Sequence, residues 1–189
     1  MKIFIIGDNG WIGSKYKQFM DELGIEYIVT NIRSEKIELI DFVKKYLGDS
    51  PETSSHKITN VLYCAGRTYG TLKNGKTYST IYYLQHNETL YENINDNLYG
   101  PLHIALQCDK LNIHFTYIGT GCIYTYSDEE MNMMSERTAT RTNGNIDINE
   151  LKGIKENDES NFSGSNYSIV KSFTDKLLSK TNALILRIR

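Results

Sequence analysis

Apolar positions along the chain fall into two patterns. Five short continuous runs, Lys2–Ile6, 25–30, 59–64, 113–118 and Ala183–Ile188, have strand length and end at glycine or polar residues, as strands buried on both faces do. Between them the apolar residues take helical spacing. Ile12, Tyr16, Phe19, Met20 and Leu23 make one stripe along Trp11–Leu23, which Gly24 closes as a C-terminal cap. A second stripe runs over 35–47, a long one from about 79 to 112 with Pro101 at a kink or a fresh first turn, and a last one over 164–180. Residues 48–57 are polar, 65–79 form a glycine-containing loop, and 121–163 are acid-rich and aperiodic, read as a long surface excursion over 125–160. Strands that alternate with helices, with no hairpin turn signal between them, predict an α/β fold: one domain over 1–189, a doubly wound parallel sheet covered on both faces. The chain stops at a strand where such domains continue into another helix, so something C-terminal is expected to be missing.

Composition narrows the function classes. The 189 residues carry 21 basic and 23 acidic groups, and a formal charge of −2 gives no general attraction to nucleic acid or an anionic membrane. No apolar run approaches the roughly 20 residues that span a bilayer, and the apolar start is too short for a signal peptide. Three widely spaced cysteines, Cys64, Cys108 and Cys122, make neither a disulfide framework nor a zinc site, and the four histidines have no mutual metal spacing. The expectation is a cytoplasmic protein without metal.

Gly7, Gly10 and Gly13 stand in GDNGWIG, with Asn9, Trp11 and Ile12 between them, directly after the first strand and at the start of the first helix. Glycines there let the backbone turn tightly and approach a pyrophosphate, and the helix N-terminus offers it unpaired N–H groups. The motif therefore predicts dinucleotide binding, with Trp11 packed near the loop as a wedge. After the second strand comes Thr-Asn-Ile-Arg-Ser, with no acid before Glu35 to accept from an adenosine 2′-hydroxyl. Arg33 beside Ser34 suits a 2′-phosphate, which favours NADPH over NADH; the alternative is a solvated surface arginine.

Tyr167 and Lys171 in YSIVK are four apart on one helix face, where an ammonium lowers a phenol's pKa and makes it a usable proton donor to a carbonyl. Thr120, after the fourth strand run, falls at the carboxyl end of the sheet, where open α/β sheets bind ligands, and its hydroxyl can share the oxygen that Tyr167 protonates. Cys122, two residues on, faces the same side if the segment is strand-like, as a thiol acid/base; the alternative is a small buried residue.

With CAG at 64–66, Asn97 in NDNLYG, TGCIY at 120–124 and YSIVK, the chain resembles the extended short-chain dehydrogenase/reductases along almost its whole length. More narrowly, GWIG, AGRT at 65–68, NLYGPL, TGCIY and NFSGSNYS at 161–168 look like the nucleotide-sugar 3,5-epimerase/4-reductases of L-rhamnose synthesis. The resemblance implies a Rossmann-like NAD(P)-binding domain with Thr120, Tyr167 and Lys171 as the catalytic set. It also implies Ala65 and Gly66 along the cofactor, Asn97 in the proton relay or the helix geometry, Arg67, Thr68 and Asn161 toward the sugar, and Cys122 exchanging protons beside a 4-keto group. The implied enzyme is NADP-dependent, reducing a 4-keto-6-deoxy sugar linked to UDP, dTDP or GDP, with a homodimer formed through the long helices. Against the family, 129–149 are extra residues, and the second acid/base and the C-terminal substrate segment fall beyond Arg189, absent or truncated here, which leaves turnover by this chain in question. Gly121 and Cys122 stand where a 4,6-dehydratase has Asp and Glu, which disfavours that chemistry. Two alternatives stay open: a simple 4-keto reductase, and a silent dinucleotide-binding module that regulates a partner.

Overall fold

The structure is a computed structural model that describes residues 2–47, 58–128 and 154–188. Five strands form one parallel sheet: β1 (Lys2–Ile6), β2 (Tyr27–Val29), β3 (Ile58–Tyr63), β6 (His114–Thr120) and β7 (Ala183–Ile188), in the order β2-β1-β3-β6-β7. One face carries α1 (Trp11–Leu23), whose Met20 packs on Ile5, Leu62 and Ile118. The other face is covered by α2 (Leu39–Leu47), α4 (Gly100–Leu111) and α5 (Asn166–Leu178). There Phe4, Val61, Tyr63, Phe115 and Tyr117 meet Leu39, Ile104, Cys108 and Leu178 in the main core. This is a Rossmann-like α/β arrangement, as the alternation of elements predicts.

Three departures have local causes. The helix expected over 35–47 begins only at Leu39. Ser34–Lys36 is a single 3-10 turn, Ile37 is extended, and the Gln107 amide donates to Ile37 O at 2.8 Å while accepting from Leu39 N at 2.6 Å. The expected helix over 79–112 opens as two 3-10 turns, Ile81–Gln85 and Asn87–Thr89, separated by extended His86. It then runs through α3 (Leu90–Ile94), one π-helical turn (Asn95–Tyr99) and α4, with Pro101 inside the first turn of α4. Finally, the segment after β3 contains a small antiparallel hairpin, β4 (Gly70–Thr71) with β5 (Thr77–Tyr78), turning at Asn74-Gly75 with Gly75 at φ +85°. The absence of a hairpin signal is thus corrected: Asn-Gly is such a signal.

Of the excursion, 129–153 lie outside the described residues, but its base is stitched shut. Ile123 O accepts from both Asn161 N and Phe162 N, and Tyr124 OH donates to Asp158 O at 2.9 Å. Arg187 holds β7 to α5 through a two-pronged bond to Asp175, at 2.9 and 2.8 Å, and also donates to Glu156 O.

The turn between β1 and α1 depends on close backbone approach. Gly7 has φ +87°, and a Cβ on it would lie 2.5 Å from Ala65 N. A Cβ on Gly13 would run into the Gly7 carbonyl and the Asp8 Cα, whereas one on Gly10 would sit at 3.3 Å from its nearest neighbour. Gly13→Ala is expected to cost about 1–3 kcal/mol in urea unfolding, as overpacking does, and Gly10→Ala clearly less.

Candidate active site

The glycine turn, the end of β2 and the start of the segment after β3 enclose a cavity of about 300 Å³, lined among others by Gly7, Asn9, Gly10, Arg33, Ala65, Gly66 and Asp96. Gly10 caps α1 with no side-chain hydrogen bond, and no acid stands in the first turn of that helix. An uncapped N-terminus with no acid in its first turn, above a cradle that a Cβ would fill, fits a dinucleotide pyrophosphate. Lys171 reaches the same place: a Cβ on Gly66 would lie 3.9 Å from its Nζ and 3.0 Å from Asn97 Oδ1. Trp11 does not pack as a wedge. As the first residue of α1 it projects outward and is 79% exposed, while Ile12 behind it packs under the sheet.

At the carboxyl end of β6 the structure brings Thr120, Cys122 and Tyr167 together. Thr120 is the last strand residue, and Gly121–Ile123 is a 3-10 turn rather than strand, so strict alternation does not orient Cys122. Instead the Cys122 N–H donates to Thr120 Oγ1 at 3.1 Å, and Ser168 Oγ, from α5, donates to Cys122 O at 2.8 Å. Cys122 then packs on the cluster of Tyr167 with Leu72, Tyr83 and Leu84. Helix α5 is set there by its own start: Ser165 Oγ accepts from Ser168 N, and Asn166 N donates to Gln85 Oε1 at 3.1 Å.

The electrostatics differ from the expected tyrosine–lysine pairing. Lys171 Nζ donates to the buried Tyr117 phenol on β6 and lies 4.7 Å over that ring, against 5.9 Å over the Tyr167 ring. Lys171 therefore does not draw down the Tyr167 phenol here. Burial pushes Tyr167 up to about 12, with the Thr120 hydroxyl as the hydrogen-bonding neighbour that opposes it. Burial also brings Lys171 down to about 8, partly offset by the Asp175 carboxylate. Tyr117, not singled out as a site residue from sequence, is raised well above the ordinary phenol value by desolvation.

The remaining expected residues divide. Asn97 clamps the segment after β3: its Oδ1 accepts from Arg67 N at 3.1 Å, its Nδ2 donates to Arg67 O at 2.9 Å, and its carbonyl accepts from Thr174 Oγ1 at 2.6 Å. Arg33 is not a free cation, because Glu35 and Asp96 both hold it. Arg67 is likewise paired, with Asp96 at 2.6 Å, and Thr68 is exposed. Asn161, expected toward the sugar, spends its side-chain amide on Thr125: it accepts from Thr125 N at 2.8 Å and donates to Thr125 O at 3.0 Å, closing the base of the excursion. Asp96, which organises both arginines, was missed, because its partners lie 29 and 63 positions away and leave no local pattern.

Comparison with known proteins bears out the resemblance to nucleotide-sugar epimerase/reductases of the extended short-chain dehydrogenase/reductase kind. No family model matches the sequence. The chain is 39% identical over its whole length to protein L780 of Acanthamoeba polyphaga mimivirus, of which it spans 55%. The crystal structure of the L780 UDP-rhamnose synthase superposes with a TM-score of 0.72 at 36% identity, covering 100% of this chain and 56% of that one. An Arabidopsis thaliana trifunctional UDP-glucose 4,6-dehydratase/UDP-4-keto-6-deoxy-D-glucose 3,5-epimerase/UDP-4-keto-L-rhamnose-reductase, RHM1, is 28% identical over the whole chain, which covers 23% of it. A dTDP-4-dehydrorhamnose reductase from Clostridium acetobutylicum shares the fold at TM-score 0.60 and 19% identity, over 99% of this chain and 52% of that one. The chain thus spans about half the length of L780. Among the described residues no helix is long and apolar enough to cross a membrane.

A lysine whose folded pKa is about 8, against an ordinary 10.5, binds fewer protons folded than unfolded between those values, so its contribution to stability rises with pH across that window. Below pH 8 the cost of charging it is fully present. Wild type is expected to gain stability on Lys171→Met between pH 8 and 10.5, read as the difference between their unfolding midpoints at each pH.

Proposed function

We propose that this chain forms the dinucleotide-binding and proton-donating part of an enzyme that reduces a nucleotide-linked 4-keto-6-deoxy sugar. Reduction is coupled to 3,5-epimerisation, and the product is an L-rhamnose-type nucleotide sugar. The observation that carries this reading is the meeting of Thr120, Cys122 and Tyr167 at the sheet's carboxyl end, beside the glycine cradle. The named activities of L780 and RHM1 support it.

Gly7, Gly10 and Gly13, with the N–H groups of α1, would hold the pyrophosphate, Ala65 and Gly66 would line its path, and Lys171 would reach the ribose. NADPH is the proposed dinucleotide, with NADH the weaker alternative, and when bound it supplies hydride to C4 of the sugar. Tyr167 gives its proton to the C4 oxygen, and the Thr120 hydroxyl holds that oxygen. A phenol kept at about 12 by burial is fully protonated at neutral pH, the state a donor needs. The Cys122 side chain serves the epimerisation as one of its two acid/base groups, exchanging protons on one face of the carbons beside the carbonyl, whose polarisation acidifies them; inversion needs a second group on the opposite face. Apolar residues exposed on α3 and α5, Tyr91, Ile94, Phe173 and Leu177, support a homodimer through these helices.

Trp11 is the single tryptophan of the chain, so its emission is expected to report NADPH titration. In the full-length protein Tyr167→Phe should leave that titration unchanged and cut turnover of a UDP- or dTDP-4-keto-6-deoxy sugar by about 10²–10⁴-fold. Cys122→Ser should stop exchange of the C3 and C5 protons with solvent; persisting exchange would remove Cys122 from the mechanism. Dinucleotide binding by wild type without consumption would fit either the silent module or a truncated enzyme, which a longer chain separates.

A further inference from the structure

A line of alternating charges starts at one rim of the glycine-turn cavity, at Arg33, Glu35 and Asp96, and leads away from it. Arg33 Nε donates to Glu35 Oε1 at 2.6 Å, and Arg33 Nη2 bonds Asp96 Oδ1. The other oxygen of Asp96 accepts from Arg67 Nε at 2.6 Å. Arg67 Nε lies 3.5 Å from Glu92 Oε2, which accepts from Tyr83 OH at 2.6 Å. The Asp96 side chain is 13% exposed and that of Arg33 is 49% exposed. Arg33, Glu35 and Asp96 all line the cavity, together with Thr30, Asn31 and Ser34 at the end of β2. Asp96 is thus the sheltered member of the clamp, and Arg33 the member open to solvent.

Recognition of a phosphate on the adenosine ribose needs a guanidinium with hydrogen bonds to spare. Of the two arginines, Arg33 lines the cavity, beside the carboxylates of Glu35 and Asp96, so the rim is short of positive charge before a phosphate of roughly −1.5 to −2 arrives. Glu35 and Asp96 take two of the five N–H donors of Arg33, so a phosphate need not displace them; instead the two carboxylates hold the guanidinium facing themselves and repel the incoming charge. Arg67 draws on the same Asp96 carboxylate from the far side and so weakens its hold on Arg33.

We propose that Asp96 sets the preference of this cavity between the 2′-phosphorylated and unphosphorylated dinucleotide, by competing with the 2′-phosphate for Arg33 under the restraint of Arg67. The proposal rests on the dinucleotide reading of the cavity. It makes Asp96 a specificity residue that touches neither the sugar nor the reacting carbon. The clamp is half open to water, so the effect is a shift in ratio rather than an absolute switch.

Dissociation constants for NADPH and NADH, taken by fluorescence titration without any sugar present, test this directly. Asp96→Asn is expected to raise the preference for NADPH over NADH by about tenfold. Arg67→Gln, which leaves Asp96 wholly to Arg33, is expected to lower it, and Arg33→Gln to remove the effect of both. An unchanged ratio in Asp96→Asn, or Asp96→Asn and Arg67→Gln moving the ratio the same way, would overturn the proposal while leaving dinucleotide binding intact. If Asp96→Asn does not fold by circular dichroism, the fall in Arg67→Gln decides alone. Failure of wild type to bind either nucleotide would overturn the dinucleotide reading, and the proposal with it.

Discussion

The hydrogen bonds that converge on Asn97 hold together everything the site needs. Its side-chain amide reads both backbone groups of Arg67, and its carbonyl is taken by Thr174 on α5. One residue therefore fixes the segment after β3, the helix that follows it and the helix bearing Tyr167 and Lys171. The π-helical turn over Asn95–Tyr99 sits at this crossing, and a wider turn changes which carbonyls remain free for partners outside the helix. The same turn presents Asp96 to the two arginines, so the mechanical joint and the charged rim are built from neighbouring residues.

Much of the architecture is legible in the chain. β1 and β7 match their apolar runs residue for residue, and α1 begins at Trp11 and is capped by Gly24 in the left-handed conformation. The glycine turn, Thr120, Tyr167 and Lys171 lie on the elements where spacing puts them. What stays hidden is who holds whom. Arg33 looks like a free cation because one of the two carboxylates that hold it is 63 residues away, and the other, Glu35, shows in the sequence only as a neighbour two positions on. Asn161 looks available because nothing local shows that Thr125 occupies both ends of its amide. The late start of α2 is equally remote in origin, since Gln107 on α4 captures the backbone on either side of Glu38. The β4–β5 hairpin is different: Asn74-Gly75 is a turn signal in plain view, obscured only by strands two residues long.

Burial, more than pairing, governs the acid–base groups. Tyr63, Tyr117 and Tyr167 form a buried series of phenols reaching from the core to the site, each raised by loss of water. Lys171 enters that series and is brought down by the same cause. A charged lysine against a neutral phenol is tolerable there because the Tyr117 oxygen accepts its hydrogen bond, and Asp175, one turn on, supplies opposite charge. Asp175 in turn is anchored by Arg187 of β7, which links the last strand to the electrostatics of the helix.

The small hairpin after β3 acquires a meaning from this. Leu72, at its tip, is buried against Tyr83, Leu84 and Tyr167, so part of the dry environment around the phenol is contributed by a loop far from it in sequence. Trimming or lengthening that tip would admit or exclude solvent at the aromatic hydroxyl while leaving the YSIVK helix unaltered. Working acidity in this architecture can thus drift with loop length alone, on a surface where insertions are cheap.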